Sequence, residues 1–266
     1  MGVEIRSASE SSIDGLIEVC SRELREDPLH REGMERKRDW LKRMIGDVGS
    51  VAEIAYMDGR PVGMVLFYPE KSIPHVESPR EGALCMSCIF VGEKELQNQG
   101  IGSLLLKEFL DHVKRGHPCL ESEPAGFVYT RAFDAHVGIS QEAFLTRRGF
   151  VRIPGKDKED LYMSIEASYQ SRREEAYTRE EEDRGRALVF YSPVCQFSYP
   201  FAVKTAELIR EIEPDLPVDL VDEWERPEEK AGRGSHGVIV NGRPIEAFFM
   251  NKEAFKTEVK EALEEA

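Results

Sequence analysis

Two stretches carry the groups best suited to chemistry. The first is Phe90-Val91-Gly92-Glu93-Lys94-Glu95-Leu96-Gln97-Asn98-Gln99-Gly100-Ile101-Gly102-Ser103. It lies between an apolar run, Ala83 to Val91, and a helical pattern of Leu105, Leu106, Phe109, Leu110 and Val113. Strand, glycine-closed loop and helix start together make an anion cradle. The first amides of a helix have no internal acceptor. The helix dipole adds partial positive charge at that end, and glycine lets an anion approach without meeting a Cβ. Backbone so arranged can hold a phosphate or a pyrophosphate. The second stretch is Cys195-Gln196-Phe197-Ser198, at the mouth of a helix expected to run to Ile212. The helix dipole biases a thiol there toward thiolate. It has no second thiol to resolve a mixed disulfide. A third feature, Cys85 with Cys88, sits inside the apolar run. Residues three apart on a strand face opposite sides, so these two read as structural thiols rather than a metal pair.

Other phosphate motifs are excluded. A dinucleotide fingerprint needs a third glycine, a Walker loop needs Gly-Lys-Ser/Thr, and the chain has neither here. The loop Gln97-Asn98-Gln99-Gly100-Ile101-Gly102 resembles the acyl-CoA loop of the GNAT acyltransferase superfamily, Gln/Arg-x-x-Gly-x-Gly/Ala. Downstream, Ala143-Phe144-Leu145-Thr146-Arg147-Arg148-Gly149-Phe150 resembles the Gly-Phe with which that family ends a short helix. The resemblance implies acetyl-CoA as cofactor, its pyrophosphate held at Gln97, Asn98, Gln99, Gly100, Ile101, Gly102 and Ser103. It also implies that the central strand splays and frees a backbone amide for the acyl carbonyl, which puts Ile89, Phe90 and Val91 beside the thioester.

The reaction so implied is N-acetyl transfer to a small amine or amino-acid-like acceptor. Binding supplies proximity, and a donor must meet the developing oxyanion. A base takes the amine proton, and an acid can protonate the leaving thiolate. The family often uses a tyrosine four residues before the glycine of Gly-Phe as that acid, whereas this chain has Leu145. For the base, Asp134, His136, Glu121 and Glu123 lie near the relevant strand. None of the four stands out by position, and Asp134 is the expected catalytic residue among them.

Length and charge set the frame. At 266 residues the chain has room for two domains, each with its own core. A net charge of −14 argues against nucleic acid or an anionic membrane as partner. No apolar stretch of membrane-spanning length and no signal-type N-terminus are expected. Five scattered cysteines point to a reducing cytosol.

The elements that must position these groups follow from periodicity and punctuation. Val3 to Ala8 reads as a strand, Ser12 to Glu23 as a helix, and Arg31 to Ile45 as a charged helix carrying Trp40. Val51 to Met57 and Pro61 to Tyr68 form a hairpin across Asp58-Gly59. Strands are expected at Ala83 to Val91, Ala125 to Phe133, Phe150 to Ile153 and Leu161 to Ile165, with a helix from Ser140 to Arg148. The order β-α-α-β-β-β-α-β-α-β-β matches a GNAT mixed-sheet domain over residues 1–168. Residues 169–185 are almost all polar and read as a solvated linker.

Residues 186–266 make a second α/β unit in the order β-α-β-β-β-α, with an Asn241-Gly242 hairpin turn. Order and cysteine position resemble a thioredoxin-like domain. The pairing of the two domains resembles acetyltransferases with a YoaP-like C-terminal domain. Cys-Gln-Phe-Ser is similar to the Cys-Gly-Phe-Ser of monothiol glutaredoxins, with Gln in place of Gly. The resemblance implies that the residue before the third strand, a cis-proline in that fold, faces the cysteine. Here that residue is His236, expected within a few ångströms of the Cys195 sulfur. Three readings stand: an acyl-CoA-dependent N-acyltransferase with a monothiol accessory domain, a thiol-redox or thiol-capture protein in which the first domain only binds CoA, and a non-catalytic acyl-CoA or thiol sensor.

Overall fold

The computed structural model describes residues 2–21, 24, 26–132, 140–172, 177 and 181–264. The chain forms two units. The first holds residues 1–25, 38–73 and 78–172, and the second holds 26–37, 74–77 and 173–266. A linear boundary at residue 168 therefore misses two short segments, 26–37 and 74–77, that belong with the C-terminal part.

In the first unit the elements are β1 (Val3–Ser7), α1 (Ile13–Ser21), the second half of α2 (Pro28–Val48), β2 (Ala52–Met57), β3 (Arg60–Pro69), β4 (Ala83–Val91), α3 (Ile101–Arg115), β5 (Phe127–Arg131), α4 (Gln141–Thr146), β6 (Val151–Arg152) and β7 (Asp160–Ser164). The expected order is the order found, although β5 is shorter than its apolar run. The strands form one mixed sheet ordered β1-β2-β3-β4-β5-β7-β6. Every neighbouring pair is antiparallel except β4 with β5. Helix α3 turns Ile101, Leu105, Leu106, Phe109 and Val113 onto the sheet, where they join Leu84, Met86, Ile89 and Leu161 in one core. Trp40 is buried, edge-on to Tyr68 at 5.5 Å, so it is a core residue of this unit.

Two irregularities in β4 matter for the site. Its register against β3 shifts by one residue: Leu66 faces Cys88 and Phe67 faces Met86, which leaves Ser87 as a bulge. Before the bulge the even-numbered Leu84 and Met86 enter the α3 core, and after it the odd-numbered Ile89 and Val91 do. Cys85 and Cys88 consequently share the other face, which corrects the expectation from simple alternation. Neither thiol is in a disulfide. Among the described residues no group of three or more His, Cys, Asp or Glu side chains is arranged to hold a metal. The second irregularity is that β4 pairs with β5 only at Ala83↔Phe127, Leu84↔Val128 and Cys85↔Tyr129.

A buried ion pair sits beside those three paired positions. Glu70 accepts from the Arg80 guanidinium at 2.6 and 3.0 Å and from the Arg80 amide at 2.7 Å. The guanidinium also lies over the rings of Phe127, Tyr129 and Tyr169, 4.6 to 5.2 Å from their centroids. The pair closes the loop between β3 and β4 onto the start of β5.

The second unit comprises the first half of α2, β8 (Ala187–Tyr191), α5 (Ser198–Ile212), β9 (Val218–Asp222), α6 (Pro227–Lys230), β10 (Val238–Val240), β11 (Arg243–Pro244) and α7 (Lys252–Glu264). The sheet order is β11-β10-β8-β9, with β8 and β9 parallel and the other pairs antiparallel. Asn241 and Gly242, at φ 49° and 73°, make the left-handed two-residue turn of the last hairpin. Strand β8 is buried along its whole length. On one side it meets Ile209 of α5 with Phe255 and Val259 of α7, and on the other Val221 and Ile239. Within this unit α2 comes very close to the cysteine loop: a Cβ on Gly33 would stand 2.1 Å from the Gln196 carbonyl oxygen. Arg36 donates to the Tyr191 hydroxyl at 2.8 Å and lies over Tyr199. The polar stretch expected as a solvated linker is anchored at its end. Asp183 is buried and accepts from Arg233, Arg186 and Tyr177. No helix among the described residues is long and apolar enough to cross a membrane.

Burial works against charge on Glu70, but the hydrogen bonds and charge of Arg80 outweigh it and hold the carboxyl below its ordinary value of 4.5. A depressed carboxylate stabilises the fold above its unfolded pKa, and that contribution is lost as pH falls through the folded value. Arg80→Met should cost about 3–5 kcal/mol in urea unfolding, since it strands a buried charge. Glu70→Gln should flatten the dependence of stability on pH below 4.5.

Candidate active site

The site is built where β4 loses its neighbour. Gly92 N donates to Val62 O at 3.0 Å, on the β3 side. In an antiparallel ladder the direction alternates, so the amides and carbonyls of Phe90 and Cys88 also face β3. Those of Ile89 and Val91 face the other way, where pairing with β5 has already ended. Their carbonyls are met by side chains: Gln141 Nε2 donates to Ile89 O at 3.2 Å, and Gln97 Nε2 donates to Val91 O at 3.1 Å. Among the described residues their N–H groups have no strand partner on that side. Buried backbone donors require an acceptor, and a carbonyl oxygen of a ligand can serve.

The loop after β4 leads directly to the mouth of α3. Gly100 is its N-cap at φ 86° and ψ −5°, a left-handed conformation that glycine adopts without strain, and a Cβ there would meet nothing within 4 Å. Leu104 N donates to Gly100 O, so the amides of Ile101, Gly102 and Ser103 precede the first intrahelical bond. Gln99 Nε2 donates to Glu95 O at 2.6 Å, and Asn98 sits at φ 61°, which shapes the loop before the helix. The two groups expected at this end, strand amides and helix mouth, are thus brought together.

On the opposite face of β4 from α3 lies a cavity of about 510 Å³. Val19, Cys20, Leu24, Pro61, Val62, Phe90 and Gly92 line it, with Glu93, Lys94 and Glu95 from the following loop. Alternation after the bulge puts the Phe90 side chain here while Val91 faces α3. Gly92 is required for the wall: a Cβ would stand 2.3 Å from the Val19 carbonyl oxygen at the end of α1. Glu93 is held by Arg60, with contacts of 3.0 and 3.2 Å.

Several expected groups are placed elsewhere. Asp134 and His136 lie outside the described residues. Glu121 and Glu123 precede β5, at the end of the sheet where β4 begins, and Glu121 pairs with Lys71 just after β3. They are remote from the carboxyl end of β4, so neither is a base for chemistry there. Leu145 is fully buried in the α3 core and presents no surface to a ligand. The groups that sequence reasoning passed over are Glu93, Glu95, Gln141 and Arg148. Three of them lay inside stretches singled out for other residues, and only folding turns them toward the site.

In the second unit, α5 begins at Ser198 with Phe197 as N-cap, so Cys195 lies two residues ahead of the cap rather than at the helix mouth. Cys195 is exposed. The Ser198 hydroxyl is used in closing the loop, accepting from Ser192 N at 2.9 Å. His236 precedes β10 as expected, but its Nδ1 lies 2.9 Å from Glu246 and its ring is edge-on to Tyr177. No hydrogen bond joins it to Cys195 among the described residues. The imidazole is engaged at Nδ1 by a carboxylate rather than by the thiol.

Two outcomes follow from these placements. Leu145→Tyr adds volume to a closed core, so it should lower stability by about 1–3 kcal/mol in thermal or urea unfolding rather than supply an acid. Burial pushes the Cys85 thiol up to about 11 and the Cys119 thiol up to about 12. Iodoacetamide at pH 8, read by peptide mass, should therefore modify Cys195 well before either, and His236→Ala should leave that rate unchanged.

No curated protein matches this chain. Among solved structures, the PaiA N-acetyltransferase from Thermoplasma acidophilum in complex with coenzyme A is similar at 15% identity, over 64% of this chain and 100% of its own, with TM-score 0.43. A GNAT family acetyltransferase from Brucella melitensis in complex with acetyl-CoA is 16% identical over 62% and 88%, with TM-score 0.40. The ribosomal-protein-S18-alanine N-acetyltransferase from Escherichia coli is 14% identical over 64% and 97%, with TM-score 0.41. Residues 16–130, which include the strand, the loop and the helix mouth described above, match the model of the acetyltransferase (GNAT) family, and that match supports a GNAT acetyltransferase domain in the first unit.

Proposed function

We propose that the first unit is an acetyl-CoA-dependent N-acetyltransferase whose acceptor is a primary amine on a small apolar body. The observation that carries this is the early end of β4–β5 pairing, which among the described residues leaves the Ile89 and Val91 amides without a β5 partner, beside the mouth of α3. Acetyl-CoA, bound there, supplies an acetyl group activated as a thioester. The chain's own contribution is placement and charge. The amides of Ile101, Gly102 and Ser103 hold phosphate oxygens. The Ile89 or Val91 amide donates to the acyl oxygen, where negative charge develops. The cavity on the other face of β4 admits the amine, with Val19, Leu24, Pro61, Val62 and Phe90 around its apolar part. Glu93 and Glu95 border the same cavity and are the carboxylates placed to take the ammonium and its proton. As the C–N bond forms and the C–S bond breaks, solvent protonates the thiolate, because Leu145 offers no acid.

The second unit is read as a thioredoxin-like accessory domain. Its sheet order β11-β10-β8-β9, with a cysteine between β8 and α5, supports that reading. An exposed Cys195 favours a thiol-capture role: its thiolate attacks a disulfide of the partner, one partner sulfur leaves as thiolate, and the mixed disulfide persists because Ser198 offers no second thiol to release it.

The test is acetyl transfer from acetyl-CoA across a panel of amines, with Gly102→Glu as the control. A Cβ at Gly102 would make ordinary contact with Phe144 at 3.5 Å. A carboxylate in the first turn stabilises a helix by about 0.3–1 kcal/mol. The variant should therefore fold and lose CoA affinity by calorimetry. Apolar primary amines should be acetylated faster than amines carrying a carboxylate. Wild-type CoA affinity in Gly102→Glu, or no transfer to any amine, would overturn the reading.

A further inference from the structure

Arg148 is fixed at the mouth of α3 by three contacts. Its Nη2 donates to the Ser103 hydroxyl at 2.6 Å, and its Nη1 donates to the Phe144 carbonyl at 2.8 Å. Its Cζ lies 3.8 Å from the centre of the Phe144 ring. That ring is in turn 3.5 Å from where a Cβ on Gly102 would stand. The guanidinium is exposed, just after α4, and is brought beside the third residue of α3. Neighbouring cations of this unit take carboxylates: Arg60 takes Glu93, Arg131 takes Asp157 and Asp160, and Arg152 takes Glu142. Among the described residues Arg148 takes a hydroxyl and a carbonyl but no carboxylate, in a chain with 14 excess negative charges. A cation beside a helix N-terminus is unfavourable, since the dipole already places positive charge there. Two of five guanidinium N–H donors are used, leaving three for something else.

An anion at the helix mouth reverses the sign of that arrangement. We propose that Arg148 is a positioning residue that clamps a phosphate group of acetyl-CoA against the first turn of α3. The proposal rests on the acetyl-CoA reading of that loop. The ligand offers two phosphate chemistries, the diphosphate and the ribose 3′-phosphate, and a planar guanidinium suits either. Ser103 and the Phe144 ring hold the guanidinium in place before the ligand arrives, so little side-chain freedom is lost on binding.

The experiment is calorimetric titration of the full chain with CoA and with 3′-dephospho-CoA, in wild type, Arg148→Met and Ser103→Ala. Arg148→Met keeps the packing on Phe144 and removes the charge, and its unfolding midpoint should match wild type. Its affinity for CoA should fall about 10- to 100-fold, the scale of a charge-assisted contact. If Arg148 holds the 3′-phosphate, 3′-dephospho-CoA binds wild type and variant alike. If it holds the diphosphate, both nucleotides lose the same factor. Ser103→Ala keeps the charge and should lose less than Arg148→Met. A wild type that binds while Arg148→Met binds both nucleotides equally well overturns the role of Arg148 alone. A wild type that binds neither nucleotide overturns the acetyl-CoA reading, and this one with it.

Discussion

The departure of β5 from β4 after Cys85 is the constraint around which the first unit is arranged. A strand in the middle of a sheet that loses a neighbour exposes backbone groups that must be satisfied. Here the carbonyls of Ile89 and Val91 are met by Gln141 and Gln97, one reaching back from α4 and one from the loop. Both glutamines take acceptors, so the donors are what the gap offers. The same gap opens beside the mouth of α3, whose first amides are also donors. Among the described residues, one interruption of a ladder thus leaves strand N–H groups beside the first amides of α3 without a ladder partner.

The interruption is held in place from the other end. The three pairs that do form, ending at Cys85↔Tyr129, are overlain by the Arg80 guanidinium stacked on Phe127, Tyr129 and Tyr169. Glu70 makes that burial of charge tolerable. Removing either partner would leave an uncompensated charge, so the ion pair ties down the start of β4–β5.

The bulge at Ser87 supplies the second asymmetry. By shifting parity within β4, it sends Ile89 and Val91 into the α3 core and Phe90 to the opposite face, where the cavity lies. Gly92 then lets the end of α1 close to within contact of the strand. Donors and cavity thereby flank one short segment of backbone, a geometry that allows two reactants to meet across it.

Much of this was legible before folding is considered. Alternation and helical spacing specify the strands and α3, because burial of one face imposes a period on the sequence. Gly100 and Gly102 mark the loop, because only glycine takes a left-handed N-cap so freely. Asn241-Gly242 marks the hairpin for the same reason. What could not be read depends on contacts between segments distant in the chain. A bulge leaves no mark in composition, so simple alternation puts Cys85 and Cys88 on opposite faces although they share one. Residues 26–37 carry no sign that they cluster with a sheet 150 residues on. His236 was placed by analogy of position, but a nearby carboxylate, Glu246, decides where its ring points. Arg148 is one charged residue among many in the sequence, and only the packing of α4 beside α3 gives it Ser103 as a partner. Local pattern is determined by the sequence alone because it follows from which face is buried. The direction of each donor and each charge is decided only by the tertiary structure, because it follows from what stands opposite.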